Sequence, residues 1–524
     1  MLSESFTAGK TEPLMRQATT PRAIVFSLLG LFVVVSALGL YYHELFLDEA
    51  QHFLIGRDSD SLSSLYYNMR YDGHPRLWNA CLYFITHYIT ASYAGMQIFH
   101  LLLTTAAVYV FLRWAPFTGL TKLLVILGYY FLFEYNLLSR NYAPGILLLF
   151  IACVLLRAPE KNLLWIGAVI LLMCNVHLFF TFASIGIFLS LLPDYYSSGK
   201  WKSVRFAVFT FLVAVGVIAA IIQFQTPVED NSLQFRPADW LSGQSWTFAV
   251  YGLVRGWLPI PQVSGGHFWN SYWLNENHIG PFTWGVLFTL LLAFPGLVLR
   301  DNRRALLFYY SSLFPLLFFL VVTRFTASRY FGMFFVYFVV AAWMKGYGSA
   351  NVFAREEMPG SPRVQVLLRA SIYSVLLLHA VIGVYAWSQD IRHPFSQSKN
   401  AAGYLVQHHL ADQPIAVDGY IAGPMLCAYL QKKLYYLDID QVGSYCTWKK
   451  SWFPVPRRTI QDEMAGSSPL RTWRNFILVS NRRLDTDSIP DRSGGNYFRL
   501  RYLADFENGI IGWESYFIYK VEKK

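Results

Sequence analysis

The feature that most constrains this fold is a series of long apolar runs that recur between residues 23 and 387. A run of about 20 apolar residues is long enough to cross the hydrocarbon core of a bilayer as a helix. Because about a dozen such runs follow one another, the sequence predicts an α-helical polytopic membrane protein with about 11–13 transmembrane helices. Composition agrees, since 55% of the residues are hydrophobic and only 14% are charged.

The net charge of +11 comes from basic residues grouped in short segments between the apolar runs, such as 200–205, 300–304 and 345–369. This pattern is typical of cytoplasmic loops, which are rich in Lys and Arg and face anionic lipid headgroups. A nucleic-acid-binding domain would instead concentrate its basic residues on one face or along one element. We therefore expect membrane lipids as partners and no nucleic acid.

Polarity divides the chain into three parts. Residues 1–22 are polar and predict a cytoplasmic tail, and residues 23–387 form the transmembrane domain. Two polar loops, 44–76 and 226–278, follow apolar runs and are expected on the extracytoplasmic side, the second resting on the membrane interface. Within the first, residues 50–55 and 62–69 predict short helices that lie along the interface, with Ser61 as a cap. After Trp387 the composition becomes polar, so residues 388–524 predict a small extracytoplasmic α/β domain that is large enough for its own core.

Short β-like runs in this last part alternate with helical stretches such as 397–409. The strands are expected at 415–418, 434–437, 476–479 and 516–521. Among the five cysteines, Cys427 and Cys446 lie in this polar region and are the two that can pair if the domain is exported. The other three lie in apolar runs, as small core residues do.

The first loop carries an acidic pair, Asp48 and Glu49, shortly after the first apolar run. Two carboxylates at the start of a short helix can simply favour the positive end of the helix dipole. They can also act in chemistry, either as a general base that takes the proton of an attacking hydroxyl or as ligands of a divalent cation. The spacing alone does not choose between these interpretations.

Residues 72–76 of the same loop read DGHPR, which predicts a turn followed by a helix start. The same residues also suit an anionic lipid headgroup, because a planar guanidinium donates two parallel hydrogen bonds to a phosphate. On this interpretation the candidate contacts of the loop are Arg57, His74 and Arg76.

Further polar residues interrupt the apolar runs. Glu134, Arg140 and Tyr142 separate two of them, and Arg329 and Tyr330 precede another. Ionisable residues near membrane depth can snorkel or pair with each other, but they are candidates for a functional site by default. Arg329 and Tyr330 are accordingly either interfacial anchors or a second phosphate contact.

Two observations narrow the function. The sequence contains no G-x-x-x-x-G-K-[ST], G-x-G-x-x-G or H-E-x-x-H motif, so ATP-driven transport and dinucleotide chemistry have no support. His177 stands alone in an apolar run, which is more typical of a core histidine than of a ligand.

Four stretches carry a resemblance to a known family. They read FLDEAQHFLIGRDSDSLSSL from residue 46, RYDGHPRLW from residue 70, FEYNLLSRNYAPGILLL from residue 133 and ASRYF from residue 327. They resemble bacterial integral-membrane glycosyltransferases of the GT-C superfamily, relatives of the protein O-mannosyltransferases and of the aminoarabinose transferase that modifies lipid A. The resemblance covers about residues 24–345, and the polar tail is similar to the extracytoplasmic tail domain of many such proteins.

The resemblance implies a sugar donor carried on a polyprenyl phosphate, with transfer and inversion on the periplasmic face of a bacterial inner membrane. Asp48 matches the first-loop aspartate of the family, the general base, and Glu49 is its acidic neighbour. Arg140 and Tyr142 match the family's Arg-Asn-Tyr positions, with Glu134 as a nearby second acid.

The resemblance leaves three points open. Arg76 stands where many relatives carry a second proline, so the family gives it no role. Because metal dependence varies among the relatives, no metal is assigned, and a divalent cation beside Asp48 and Glu49 remains the alternative. The acceptor can be a glycan, a lipid or a protein.

Two other classes of protein compete with an enzyme. A transporter or flippase of lipid-linked sugars would more often show inverted repeats and paired broken helices at the bilayer midplane, and the sequence shows no repeat. A non-catalytic subunit for envelope assembly, with the tail as its binding domain, would leave Asp48 replaceable.

Overall fold

A computed structural model describes most of the chain. The predicted cytoplasmic tail, apart from residues 20–22, and residues 228–242 of the second predicted loop lie outside the described residues. The described residues are 20–227, 243–263, 266–275, 278–349, 351–420, 422–453, 459–467, 469–485, 487–490 and 497–524.

Up to residue 392 the described chain is helical. Its α-helices are, in chain order, α1 (Arg22–Tyr42), α2 (Leu47–Arg57), α3 (Leu62–Asn68), α4 (Leu77–Tyr88), α5 (Tyr93–Trp114), α6 (Gly119–Ile126), α7 (Tyr142–Leu155), α8 (Pro159–Cys174), α9 (Leu178–Ser197), α10 (Val204–Phe224), α11 (Gly243–Trp257), α12 (Pro281–Leu299), α13 (Arg303–Thr323), α14 (Ser328–Lys345) and α15 (Pro362–Arg392). Seven of the helices in the described residues, α1, α5, α9, α10, α12, α13 and α15, are long and apolar enough to cross a membrane. The prediction of a polytopic α-helical membrane protein is confirmed.

The remaining predicted spans are shorter or broken helices within the bundle. α7 has 14 residues and is therefore about 21 Å long, less than the hydrocarbon core of about 30 Å. The predicted span at 120–138 is broken, because α6 ends at Ile126 and only a π-helical turn, Tyr129–Glu134, follows it. Residues 135–141, which follow this break, form no regular helix. They contribute to the candidate site.

Close packing holds α9 against α13. A side chain at Gly186 of α9 would overlap the Ser312 hydroxyl and the Phe308 carbonyl of α13. Small residues allow helices in a membrane to approach in this way. The contact matters for the site because the first residues of α9 and the last of α13 line the same cavity.

The second predicted loop, 226–278, contains a helix that the sequence analysis did not expect. In α11, Ala249, Leu253 and Trp257 recur every four residues and are buried. This stripe lets α11 pack against α12, α13 and α14. The described part of the loop is therefore built into the bundle as well as connecting two spans.

The first loop folds into α2, α3 and the start of α4, and Ser61 caps α3 by accepting the Ser64 N–H at 3.1 Å. Both predicted short helices are present, but α2 does not lie along the membrane interface. Nearly all of its residues are buried, because α4 packs on one side of it and the tail domain packs on the other.

The tail domain is a small α/β unit, as predicted. Its strands are β1 (Ile415–Asp418), β2 (Leu434–Tyr436), β3 (Gln441–Gly443), β4 (Asn475–Ser480), β5 (Ser488–Pro490), β6 (Tyr497–Phe506) and β7 (Tyr516–Lys523). They form one seven-stranded sheet in the order β3-β2-β1-β4-β7-β6-β5, parallel at β2-β1-β4 and antiparallel elsewhere. Its helices are α16 (Ser398–Gln407), α17 (Gly423–Leu430) and α18 (Ile460–Gly466).

The tail domain docks on the first loop through hydrogen bonds to its backbone. The hydroxyl of Tyr429 accepts the N–H of Leu45 at 2.8 Å, and the carboxylate of Glu514 accepts the N–H of Leu47 at 2.9 Å. These bonds satisfy N–H groups at the start of α2. Cys427 and Cys446 are both free thiols rather than a disulfide pair.

We predict that Tyr429→Phe weakens this docking. The substitution removes the acceptor of the Leu45 N–H, and an unsatisfied buried donor costs about 1–3 kcal/mol. Thermal unfolding of the purified protein in detergent should therefore show a lower midpoint. Tyr88→Phe is the matched control, because Tyr88 is 74% exposed. Equal midpoints for the two variants would contradict the prediction.

Candidate active site

A cavity of about 410 Å³ lies where the first loop, the membrane helices and the tail domain meet. Its walls are formed by the first loop, by residues 135–141, by helices α9, α10, α13 and α14, and by one residue of the tail domain. The lining residues are Asp48, Gln51, His52, Asp72, Gly73, His74, Arg140, His177, Leu178, Phe179, Phe224, Thr226, Phe319, Val322, Thr323, Phe325, Arg329, Tyr330 and Trp448.

The centre of the polar wall is an ion triad on Asp48. Its Oδ2 atom lies 2.5 Å from Nη1 of Arg140 and 2.8 Å from Nη2 of Arg329. The side chains of the two arginines are only 5% and 15% exposed, and that of Asp48 is 24% exposed. One carboxylate oxygen thus holds two guanidinium groups at the cavity wall.

Two effects act on the pKa of Asp48. Burial raises it, and the neighbouring guanidinium groups of Arg140 and Arg329 outweigh burial and hold it below its ordinary value. Asp48 is therefore ionised, but it is a weak proton acceptor as long as both arginines stay on it.

Glu49, the neighbour of Asp48, points away from the cavity and fixes the backbone that presents Arg140. Its Oε1 accepts the N–H of Ser139 at 2.6 Å, and its Oε2 lies 3.1 Å from Nε2 of His43. His43 in turn contacts Asp390 of α15 at 2.9 Å. The structure therefore does not bring the second predicted catalytic carboxylate to the cavity.

A second contact fixes Arg329. The hydroxyl of Tyr135 donates to the backbone carbonyl of Arg329 at 2.7 Å, and Arg329 is the second residue of α14. Residues 135–141 thus position both arginines, one through Ser139 and one through Tyr135.

Three histidines form a row along the cavity. The ring centres of His52 and His74 are 5.9 Å apart, and those of His74 and His177 are 5.4 Å apart. Burial lowers the pKa of His74 to about 3, with a further lowering by Arg140, and burial also lowers the pKa of His52. At neutral pH these two imidazoles are uncharged and can offer one hydrogen-bond donor and one acceptor each.

Asp72 is a second carboxyl group in the lining. Burial raises its pKa to about 7, although hydrogen bonds from Gln51 and Trp448 and the charge of Arg140 oppose the rise. Its Oδ2 atom is buried without a hydrogen-bond partner in the described part of the chain. This carboxyl group therefore has hydrogen-bonding capacity left for a ligand.

The other end of the cavity is apolar. Phe179, Phe319, Val322 and Phe325 line it, and α13 presents further phenylalanines to the outside. Phe314 is 53% exposed and Phe318 is 52% exposed. The cavity therefore suits a ligand with an anionic group at one end and a hydrocarbon chain at the other.

The structure brings five of the ten predicted site residues together around this cavity. They are Asp48, His74, Arg140, Arg329 and Tyr330.

Glu49, as described above, and four other predicted residues do not line the cavity. Arg57 pairs with Asp58 at 2.7 Å, and the guanidinium of Arg76 lies over the ring of Tyr66 at 4.8 Å. The remaining two are buried behind the wall. Glu134 accepts hydrogen bonds from Tyr129 and Trp269, and Tyr142 stacks on Tyr135.

The two adjacent carboxylates do not form a cation site. Asp48 faces two arginines and Glu49 faces Ser139 and His43, so they share no common position for an ion. Among the residues that the structure describes, no group of three or more His, Cys, Asp or Glu side chains could hold a metal ion.

Sequence reasoning missed several lining residues. Asp72 and His52 lie inside the stretches that carry the family resemblance, so their place in those stretches was an available signal. His177 is buried, as a core histidine would be, yet it also lines the cavity. Nothing in the sequence pointed to Trp448, because it reaches the cavity only through docking of the tail domain.

The fold and the cavity define a polytopic membrane protein with an amphipathic cavity between its helices and a C-terminal α/β domain. No family model matches the sequence, and no curated protein does. Among solved structures, the chain is similar to one described as the crystal structure of ArnT from Cupriavidus metallidurans bound to undecaprenyl phosphate. The TM-score is 0.47 at 12% identity, covering 96% of this chain and 98% of that chain.

We predict that Asp72 makes stability depend on pH. Its pKa of about 7 in the folded protein lies above the value of about 4 in an unfolded chain. A carboxyl group with a raised pKa contributes stability that is fully present below about pH 4 and is lost as pH rises through about 7. The unfolding midpoint should therefore fall less between about pH 5 and about pH 8 in Asp72→Asn than in the natural protein.

The control is Asp412→Asn, because Asp412 is exposed in the tail domain. Its midpoint should follow that of the natural protein across the pH range. If the curves of Asp72→Asn and the natural protein ran parallel, Asp72 would not be the titrating group.

Proposed function

We propose that this protein is a glycosyltransferase that moves a sugar from a polyprenyl-phosphate donor to a hydroxyl group of an extracytoplasmic acceptor. The observation that carries the proposal is the ion triad of Asp48, Arg140 and Arg329 at the polar end of a cavity whose other end is apolar. An isoprenoid phosphate has the same division into a charged head and a hydrocarbon chain. The resemblance of the first-loop and ASRYF stretches to GT-C enzymes points to the same chemistry.

Arg140 and Arg329 are the proposed phosphate ligands. As the bond between the sugar and the phosphate breaks, negative charge develops on the departing phosphate. Guanidinium groups already held in a largely buried cavity stabilise that charge without further reorganisation. Neutral His74 and the ring of Tyr330 line the same space and are the remaining proposed donor contacts.

Asp48 is the proposed general base, and phosphate binding activates it. An entering phosphate competes with Asp48 for both arginines, so the carboxylate loses the partners that hold its pKa low. The acceptor oxygen then forms a bond to the anomeric carbon, and the bond from that carbon to the phosphate oxygen breaks with its electron pair. Asp48 takes the proton of the acceptor hydroxyl, and attack opposite the leaving phosphate inverts the anomeric carbon.

The predicted site residues behind the wall have positioning roles in this proposal. Glu49 fixes the Ser139 backbone beside Arg140. Glu134 and Tyr142 flank residues 135–141, the segment that positions both arginines. Arg57 and Arg76 lie on the first loop outside the cavity lining and contribute to its fold.

The proposed location of the cavity is the periplasmic side of a bacterial inner membrane. α9 runs from the cavity to the basic segment that includes Lys200, and α13 runs from the basic residues Arg303 and Arg304 back to the cavity. The basic residues thus lie at the ends of both spans away from the cavity, and the side rich in Lys and Arg is usually cytoplasmic.

We predict that transfer depends on Arg140. Arg140→Gln should lower the rate by about 10²–10³-fold, the usual loss when one contact to developing charge is removed. Mass spectrometry of envelope lipids, glycans and glycoproteins from cells with and without the protein would identify the product, and its formation rate would then be compared between variants. Arg369→Gln is the control, because Arg369 is exposed on α15. An envelope that is unchanged when the protein is absent would contradict the function.

We also predict that Asp48→Asn separates binding from transfer. The substitution frees both arginines, so polyprenyl phosphate should bind at least as tightly as to the natural protein, while transfer is lost. Native mass spectrometry with polyprenyl phosphate, and with polyprenol as the uncharged control, would measure binding. Full transfer activity of Asp48→Asn would remove Asp48 as the base, and weakened binding would contradict the proposed competition for the arginines.

A further inference from the structure

One segment of the tail domain, residues 444–453, packs on the first loop. The amide of Gln51 makes two hydrogen bonds to the backbone of Cys446, accepting its N–H at 2.8 Å and donating to its carbonyl at 2.5 Å. The hydroxyl of Ser444 donates to Asp58. These bonds fix the segment at α2, and they bring Trp448 into the lining of the cavity.

Neighbouring aromatic rings hold the plane of the Trp448 ring. Its indole stacks on Phe453, with ring centres 5.6 Å apart and planes 2° from parallel. Tyr420 contacts both rings edge-on, at 6.2 Å from Trp448 and 4.7 Å from Phe453. A flat apolar ring is therefore presented at the cavity in a fixed orientation.

Asp72 lies close to this ring and to Gln51, and all three side chains line the cavity. One carboxyl oxygen of Asp72 keeps no partner among the described residues. A flat ring next to a free hydrogen-bond acceptor matches the two sides of a sugar, which offers an apolar face of C–H groups and a rim of hydroxyl donors.

The spacing along α2 places Gln51, which holds the segment of Trp448 through Cys446, one turn from Asp48 of the ion triad. Asp48 and Gln51 are three residues apart, so they lie on one face of α2, about 4.5 Å apart along its axis. A donor whose phosphate is held by Arg140 and Arg329 in place of Asp48 would therefore set its first sugar ring beside Asp48, within reach of Gln51, Asp72 and Trp448.

We propose that Trp448 and Asp72 recognise the donor sugar, with the indole stacking on the ring and the carboxyl group accepting hydroxyl hydrogen bonds. The inference rests on the proposed function and deepens it, since it makes the tail domain a determinant of which sugar is transferred. It also defines a substrate class. Neutral hydroxylated sugars fit beside Asp72, whereas a uronic acid would bring a second carboxylate against it.

The test compares binding of four probes to the full-length protein in lipid nanodiscs. They are bare polyprenyl phosphate and its esters with glucose, mannose and galacturonic acid. The ratio between the dissociation constants of the bare phosphate and of each sugar ester isolates the contribution of the sugar. We expect the glucose or mannose ester to bind more tightly than the bare phosphate, and the galacturonic acid ester not to do so.

Trp448→Ala should reduce the gain in affinity that the neutral sugar provides by about 5–10-fold, as expected for loss of an aromatic contact. The dissociation constant of bare polyprenyl phosphate should stay within about twofold of that of the natural protein. Trp448→Phe keeps a stacking ring and should retain most of the gain. Asp72→Asn should reduce the preference for neutral over acidic sugar. The matched control is Trp165→Ala, because Trp165 is 70% exposed on α8.

The outcomes separate this inference from the proposed function. If the natural protein fails to bind bare polyprenyl phosphate, the proposed function fails, and this inference fails with it. If it binds bare phosphate but Trp448→Ala keeps the full sugar gain, only the inference is overturned. If Trp448→Ala weakened the binding of all four probes equally and lowered the unfolding midpoint, Trp448 would act in folding. That result would also overturn the inference.

Discussion

The ion triad of Asp48, Arg140 and Arg329 is the interaction on which the organisation of the site depends. Its three residues come from α2, from the non-helical segment before α7 and from the start of α14, and they meet at one carboxylate oxygen. Removing one partner from such a buried group typically costs about 3–5 kcal/mol, because the other charges are left uncompensated. The triad therefore ties the first loop to the bundle, and it also keeps two cations ready beside the apolar end of the cavity.

The adjacent carboxylates of Asp48 and Glu49 have different roles. Asp48 faces the cavity, whereas Glu49 is buried against the Ser139 backbone and His43. Asp48 can therefore exchange its partners with a ligand, whereas Glu49 fixes the wall of the cavity behind it. Asp72 differs from both, since burial without a cationic partner leaves its carboxyl group with a pKa near neutrality.

The tail domain buries the first loop. Without it, α2 would expose the face that now contacts α17. With it, α2 becomes a central helix between two domains, and the segment around Trp448 becomes part of the cavity wall. This is why a loop expected at the interface is almost fully buried, and why a domain beyond the last membrane helix contributes to the candidate site.

The sequence by itself determined the membrane class, the long apolar helices and the α/β tail, because apolar run length and strand alternation are local signals. It also marked Asp48 as a candidate, because ionisable residues next to an apolar run stand out locally. Only the tertiary structure decided that Arg140 and Arg329 share one oxygen of Asp48, that Glu49 turns away, and that Trp448 and His177 reach the cavity. The physical reason is that these facts depend on contacts between distant segments, such as those of Asp48 with Arg329 and of Gln51 with Cys446, which are 281 and 395 positions apart. Such contacts are set by packing and by the pairing of buried charges, and neither leaves a periodic pattern in the chain.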